Sequence, residues 1–116
     1  MELPVVNHPD YVAKINDDNN FTIKKFGALA EHLLKVNVVK KFFIPKECSI
    51  KTMQTSHSLE YINHIRNKSL DIKLQKKIGF PINDSVARRS FVATGGTVLA
   101  SKLALDSKLA CNTAGG

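Results

Sequence analysis

Residues 85–107 carry a helical pattern with Gly95-Gly96 at its centre, and no other feature of the sequence constrains the fold as strongly. A glycine inside a helix costs roughly 1 kcal/mol relative to alanine. Two in succession strip the side chains from one strip of the helix, so another part of the chain must pack very close there. Asn83 or Asp84 suits its N-cap, because a short side-chain oxygen can accept from the unpaired N–H groups of the first turn.

The rest of the chain is read around that helix. Residues 3–6 form a short apolar run ended by Asn7-His8-Pro9-Asp10, which predicts a strand and then a turn, since Pro9 has no N–H to donate. Asp17-Asp18-Asn19-Asn20 is a polar loop. Residues 24–36 repeat apolar side chains at Phe26, Leu29, Ala30, Leu33 and Leu34, one face of a helix that Asn37 can close. Residues 41–44 predict a second strand, stopped by Pro45. Thr55-Ser56-His57-Ser58 opens a further helix with Ser58 as its cap and Leu59, Ile62 and Ile65 as its buried stripe. Residues 68–77 are polar and basic, a surface turn with a short helix, and residues 78–82 form a loop with apolar anchors. A third strand covers residues 109–113, followed by Ala114-Gly115-Gly116. The order is β-α-β-α-α-β, and helix-length connections between strands favour parallel pairing. The expected class is α/β.

Composition sets outer bounds. At 116 residues and 43% hydrophobic content the chain suits one globular unit, without an internal repeat or a low-complexity tract. The net charge of +7 permits an anionic partner, but the basic residues are dispersed as pairs, Lys24-Lys25, Lys40-Lys41, Lys76-Lys77 and Arg88-Arg89, which reads as a solvated surface. Cys48 and Cys111 lie far apart with no CxxC, which suits a reducing compartment. The first residues lack the charged and apolar regions of a secretion signal, and no apolar run is long enough to span a bilayer. The cytoplasm is the expected compartment and no membrane partner is expected.

Candidate chemistry is sparse. His57 and His64 are spaced to share a helix face, yet no third ligand stands at a convincing spacing, and catalytic zinc takes three protein ligands. His32 borders the apolar stripe of its helix. Neither cysteine has a histidine at a diagnostic spacing, and no serine sits in a GxSxG elbow. Tyr11 and Tyr61 read as packing residues with satisfied hydroxyls, and Arg88-Arg89 as surface charge. Gly115-Gly116 follows a strand, the place where many α/β enzymes begin a ligand-binding loop.

Several segments in order resemble the bacterial and class IV-like branch of the histone deacetylase family. They are Pro4-Val5-Val6-Asn7-His8-Pro9-Asp10-Tyr11, Phe21-Thr22-Ile23-Lys24-Lys25-Phe26-Gly27-Ala28-Leu29, and His57-Ser58-Leu59-Glu60-Tyr61-Ile62. The most specific set is Ile78-Gly79-Phe80-Pro81, Arg88-Arg89, Gly95-Gly96-Thr97, Lys102-Leu103-Ala104 and Ala110-Cys111-Asn112-Thr113-Ala114-Gly115-Gly116.

The resemblance implies a zinc-dependent amidohydrolase that removes acyl groups from lysine or small amines. It implies a parallel three-layer α/β/α sheet of the arginase/deacetylase type, of which residues 1–116 would be the N-terminal segment with about three strands. In the family a histidine pair follows the equivalent of Gly115-Gly116, and the zinc ligands and a tyrosine come later still. No catalytic, cofactor-binding or metal residue is therefore assigned in this chain, and it is expected to be inactive alone. A separately encoded C-terminal deacetylase part is the partner the resemblance suggests. The chain departs from the family at Asn19-Asn20-Phe21-Thr22-Ile23, where members often show His-x-Phe-Pro-Met. A sheet interrupted after its third strand would leave apolar surface and a free strand edge. The competing reading is a small basic module for nucleic acid or an acidic protein, with nucleic acid disfavoured by the scattered charge.

Overall fold

The computed structural model describes residues 2–16, 18–19 and 21–115. Asp17, Asn20 and Gly116, assigned above to the polar loop and the closing glycine pair, lie outside the described residues. The elements in chain order are β1 (Val5–Val6), a 3-10 turn (Pro9–Tyr11), α1 (Lys25–Lys35), α2 (Ile50–Met53), α3 (Leu59–Arg66), α4 (Ile72–Ile78), α5 (Asp84–Ser107) and β2 (Cys111–Asn112).

α5 is the beam on which the rest is hung. Asn83 Oδ1 accepts from the Val86 N–H at 2.9 Å and starts the helix. Its buried side presents Val86, Ala87, Phe91, Val92, Gly95 and Gly96. α3 crosses it with Ile62 and Ile65 inward, and Arg66 of α3 stacks on the Phe91 ring at 4.5 Å. That contact lies at the C-terminal half of α3, so Leu59, in the first turn, falls outside it and stays 46% exposed rather than joining the stripe. Ser58 caps α3 by accepting from the Tyr61 N–H at 3.1 Å. α1 buries Phe26 and Ala30, while Leu29 and Leu34 face out at 44% and 43% exposure, so two of the five residues of its apolar stripe are uncovered. α4 buries no residue; Gln75 tethers it by donating to the Leu70 carbonyl and accepting from the Ile82 N–H.

The expected three-layer α/β/α sheet is overturned. The described chain is 51% helix and 4% strand, with a single sheet of two strands. β1 and β2 run parallel in the register Val5↔Cys111 and Val6↔Asn112. The predicted second strand shrinks to a lone parallel bridge between Val6 and Phe43. The physical reason is local. Pro4 precedes β1 without a donor, Pro9 turns the chain after it, and Pro45 stops the run at Phe43 and Ile44, so each ladder closes after a couple of residues. The molecule is 17 Å through its thinnest axis, room for two layers about 10 Å apart but not for three.

Candidate functional site

The polar side chains gather beyond the carboxyl ends of β1 and β2, the position where parallel strands present loops to a ligand. Asn7 leaves β1 and accepts from the Thr113 hydroxyl at 2.7 Å, which ties the two strand ends together. His8 caps the 3-10 turn, its Nδ1 accepting from the Asp10 N–H at 2.9 Å. Tyr11 then enters the core with no exposure at all.

Tyr11 is where the glycine pair acts. A methyl group on Gly96 would overlap the Tyr11 hydroxyl and crowd the Asn112 amide, and one on Gly95 would overlap the Lys46 carbonyl oxygen. The helix thus accepts a buried phenol at one glycine and a crossing backbone at the other. Asn112 donates weakly to the Ala93 carbonyl and to the Thr97 hydroxyl, both at 3.4 Å, which fastens β2 to α5.

The Tyr11 hydroxyl has no hydrogen bond of acceptable geometry among the described residues, so the expectation of a satisfied hydroxyl fails there. Burial pushes its pKa from 10.0 up to about 12, and the neighbouring Asn112 side chain and Arg89 charge pull the other way. Tyr61, by contrast, is 39% exposed and lies at the surface rather than in the core.

The arginine pair divides in role. Arg88 is exposed; it donates from Nε to Asp10 at 3.0 Å and pairs with Glu47 at 3.5 Å, and the Asp10 bond holds its pKa up. Arg89 is not the surface charge expected of it. Its Nε donates to the Tyr11 carbonyl at 2.7 Å, and its guanidinium stacks on Phe26 at 4.6 Å. Burial lowers its pKa. Lys25 covers the other aromatic surface, 5.2 Å from Phe26 and 5.4 Å from Phe21. Several charges of the basic pairs are thus engaged with residues of the protein itself.

The histidines do not converge. His57 precedes the cap of α3, so it does not share a helical face with His64; its ring lies 5.6 Å from Tyr61. His64 shares a 2.8 Å hydrogen bond with the Ser69 hydroxyl. Among the described residues no group of three His, Cys, Asp or Glu side chains could hold a metal ion. The residues present therefore do not fit the zinc that the family resemblance implies, and no chemical step is derived through it. Cys48 is buried, with its thiol pKa raised by desolvation, whereas Cys111 is exposed. No described helix is long and apolar enough to cross a membrane. The roles of Arg89 and Glu47 had no counterpart in the sequence reading, because their partners are distant in the chain.

No protein-family model matches the chain. Over 118 aligned residues it is 37% identical to an uncharacterized protein of Picosynechococcus sp. (strain ATCC 27264 / PCC 7002 / PR-6), in an alignment that takes in 100% of this chain and 39% of that protein. The chain spans about two-fifths of the length of this relative.

Proposed function

We propose that these residues are the N-terminal framework of a histone-deacetylase-like amidohydrolase, supplying support and no reacting group, so that the chain alone does not hydrolyse acylated amines. One observation carries the reading. The segments on which the resemblance rests are scattered along the sequence, yet they meet at one joint: His8, Asp10 and Tyr11 from the first, Arg88, Arg89 and Gly96 from α5, and Asn112 and Thr113 from the last. Residues that resemble a family by motif and also fit one another across such distances have a shared structural task. That task is to brace the ends of two parallel strands. A longer polypeptide is consistent with the reading, since the Picosynechococcus relative carries about three-fifths of its length outside the matched part.

The test uses that full-length relative. Purified with zinc, it is expected to hydrolyse acetyl-lysine peptides or small N-acetylated amines, and a chelator is expected to stop it. A well-folded preparation that binds no zinc and hydrolyses neither substrate class would overturn the proposal.

A further inference from the structure

We propose that residues 70–82, with α4 at their centre, are a strap that opens as a unit beside the Phe21–Phe80 aromatic pair, that Gln75 is its latch, and that the open form binds an apolar ligand.

α4 has little to hold it in place. Among the described residues it packs against no other helix or strand, and it buries no side chain. Its apolar residues Ile72, Leu74 and Ile78 are 67%, 45% and 40% exposed. A helix of seven residues is marginal in water by itself. Lys73 precedes Lys76 and Lys77 by three and four residues, spacings at which like charges repel and weaken a helix further. The ordered state of α4 therefore depends on bonds made from outside its own ladder.

One side chain makes two of them. Gln75 Nε2 donates to the Leu70 carbonyl at 2.7 Å, and Gln75 Oε1 accepts from the Ile82 N–H at 2.9 Å. A single amide thus joins both ends of the strap. A further bond runs from Asn19 Nδ2 to the Gly79 carbonyl at 3.0 Å. The ends themselves are pinned, because Leu70 and Ile82 are buried in the core. Beside these pins the backbone turns through the left-handed region, at Lys68 (φ 57°) and at Gly79 (φ 102°). Anchored ends, sharp turns next to them and an unpacked middle are the build of a segment that opens locally while the rest stays folded.

Two hollows show what opening exposes. One, of about 430 Å³, lies against Ile72 and Gln75. The other, of about 480 Å³, lies against Ile78 and Phe21. Gly79 and Phe80 line both. The Phe21 and Phe80 rings stand 5.6 Å apart. With α4 released, the wall between the hollows is gone and one cleft remains on the two rings. Such a cleft selects an apolar ligand.

Native-state hydrogen exchange on this chain tests the strap. The Gln75 and Gly79 amides donate to the Asp71 and Gln75 carbonyls. They are expected to exchange at least about 100-fold faster than the amides of the buried α5 residues Phe91 and Val92, since they need only local opening. Gln75→Ala removes the latch, although alanine is the better helix former. It is expected to speed Gly79 exchange by about tenfold or more and to leave Phe91, Val92 and the thermal melt unchanged. Gln75→Met keeps the length of the side chain without its hydrogen bonds and is expected to act in the same way. The uncharged dye Nile red is the apolar probe; both variants are expected to bind it at least about threefold more tightly than the parent chain. Gly79 as well protected as Phe91 and Val92, or unchanged in Gln75→Ala, overturns the strap. Parent-like exchange in Gln75→Met overturns the hydrogen-bonded latch. Variants that open faster yet bind the dye no better overturn the ligand cleft.

Discussion

Replacing Gly96 by alanine should destabilise the protein, although alanine is the better helix former. The gain in propensity is about 1 kcal/mol. Against it stands a methyl group that overlaps the Tyr11 hydroxyl and presses on the Asn112 amide. Overpacking a filled site costs about 1–3 kcal/mol, and Tyr11 has nowhere to withdraw because it is wholly buried. Helix propensity does not prevail, and a net loss of up to about 2 kcal/mol is expected. Tyr11→Phe alone should be close to neutral, because the hydroxyl it removes has no hydrogen-bond partner. The combination decides the matter. Without the hydroxyl the main overlap is gone and only the Asn112 amide must give way, so Gly96→Ala in the Tyr11→Phe background should be close to neutral. Urea titrations of the four proteins give the cycle, with an expected coupling of up to about 2 kcal/mol. Additive single effects would refute the claim that Gly96 is required by the phenol.

Two further outcomes follow from the same joint. Tyr11 has a folded pKa raised from 10.0 to about 12, so between those values the unfolded chain loses its proton while the folded one keeps it; this contribution is fully present well below pH 10 and is lost as pH rises through 12, by about 2–3 kcal/mol in all at about 1.4 kcal/mol per pH unit. Tyr11→Phe should lack that part of the slope in denaturation curves taken across the range. Asn83→Ala removes both the cap on α5 and the 2.8 Å bond to the Lys14 carbonyl, and should cost about 1–2 kcal/mol by thermal melt.

How much of this was legible depended on the range of the interactions. α5, α1 and α3 were readable because a 3.6-residue apolar period and the caps Asn83 and Ser58 are local properties. α2 was missed because its four residues, Ile50–Met53, are too few for a period. The strand positions were found but their extent was overstated, and with it the class. Apolar runs show where a strand can start, but its length is set by partners, and prolines at 4, 9 and 45 end the ladders early. At the candidate site, Gly95-Gly96 announced a close neighbour without identifying it. Arg89 was misread because its acceptor, the Tyr11 carbonyl, lies 78 residues away.

The central claim is tested most directly on the purified chain itself. Incubated with zinc, desalted and assayed on an acetyl-lysine peptide, it should retain no stoichiometric metal and release no acetate above the blank. One zinc per chain together with steady, chelator-sensitive turnover would contradict the account.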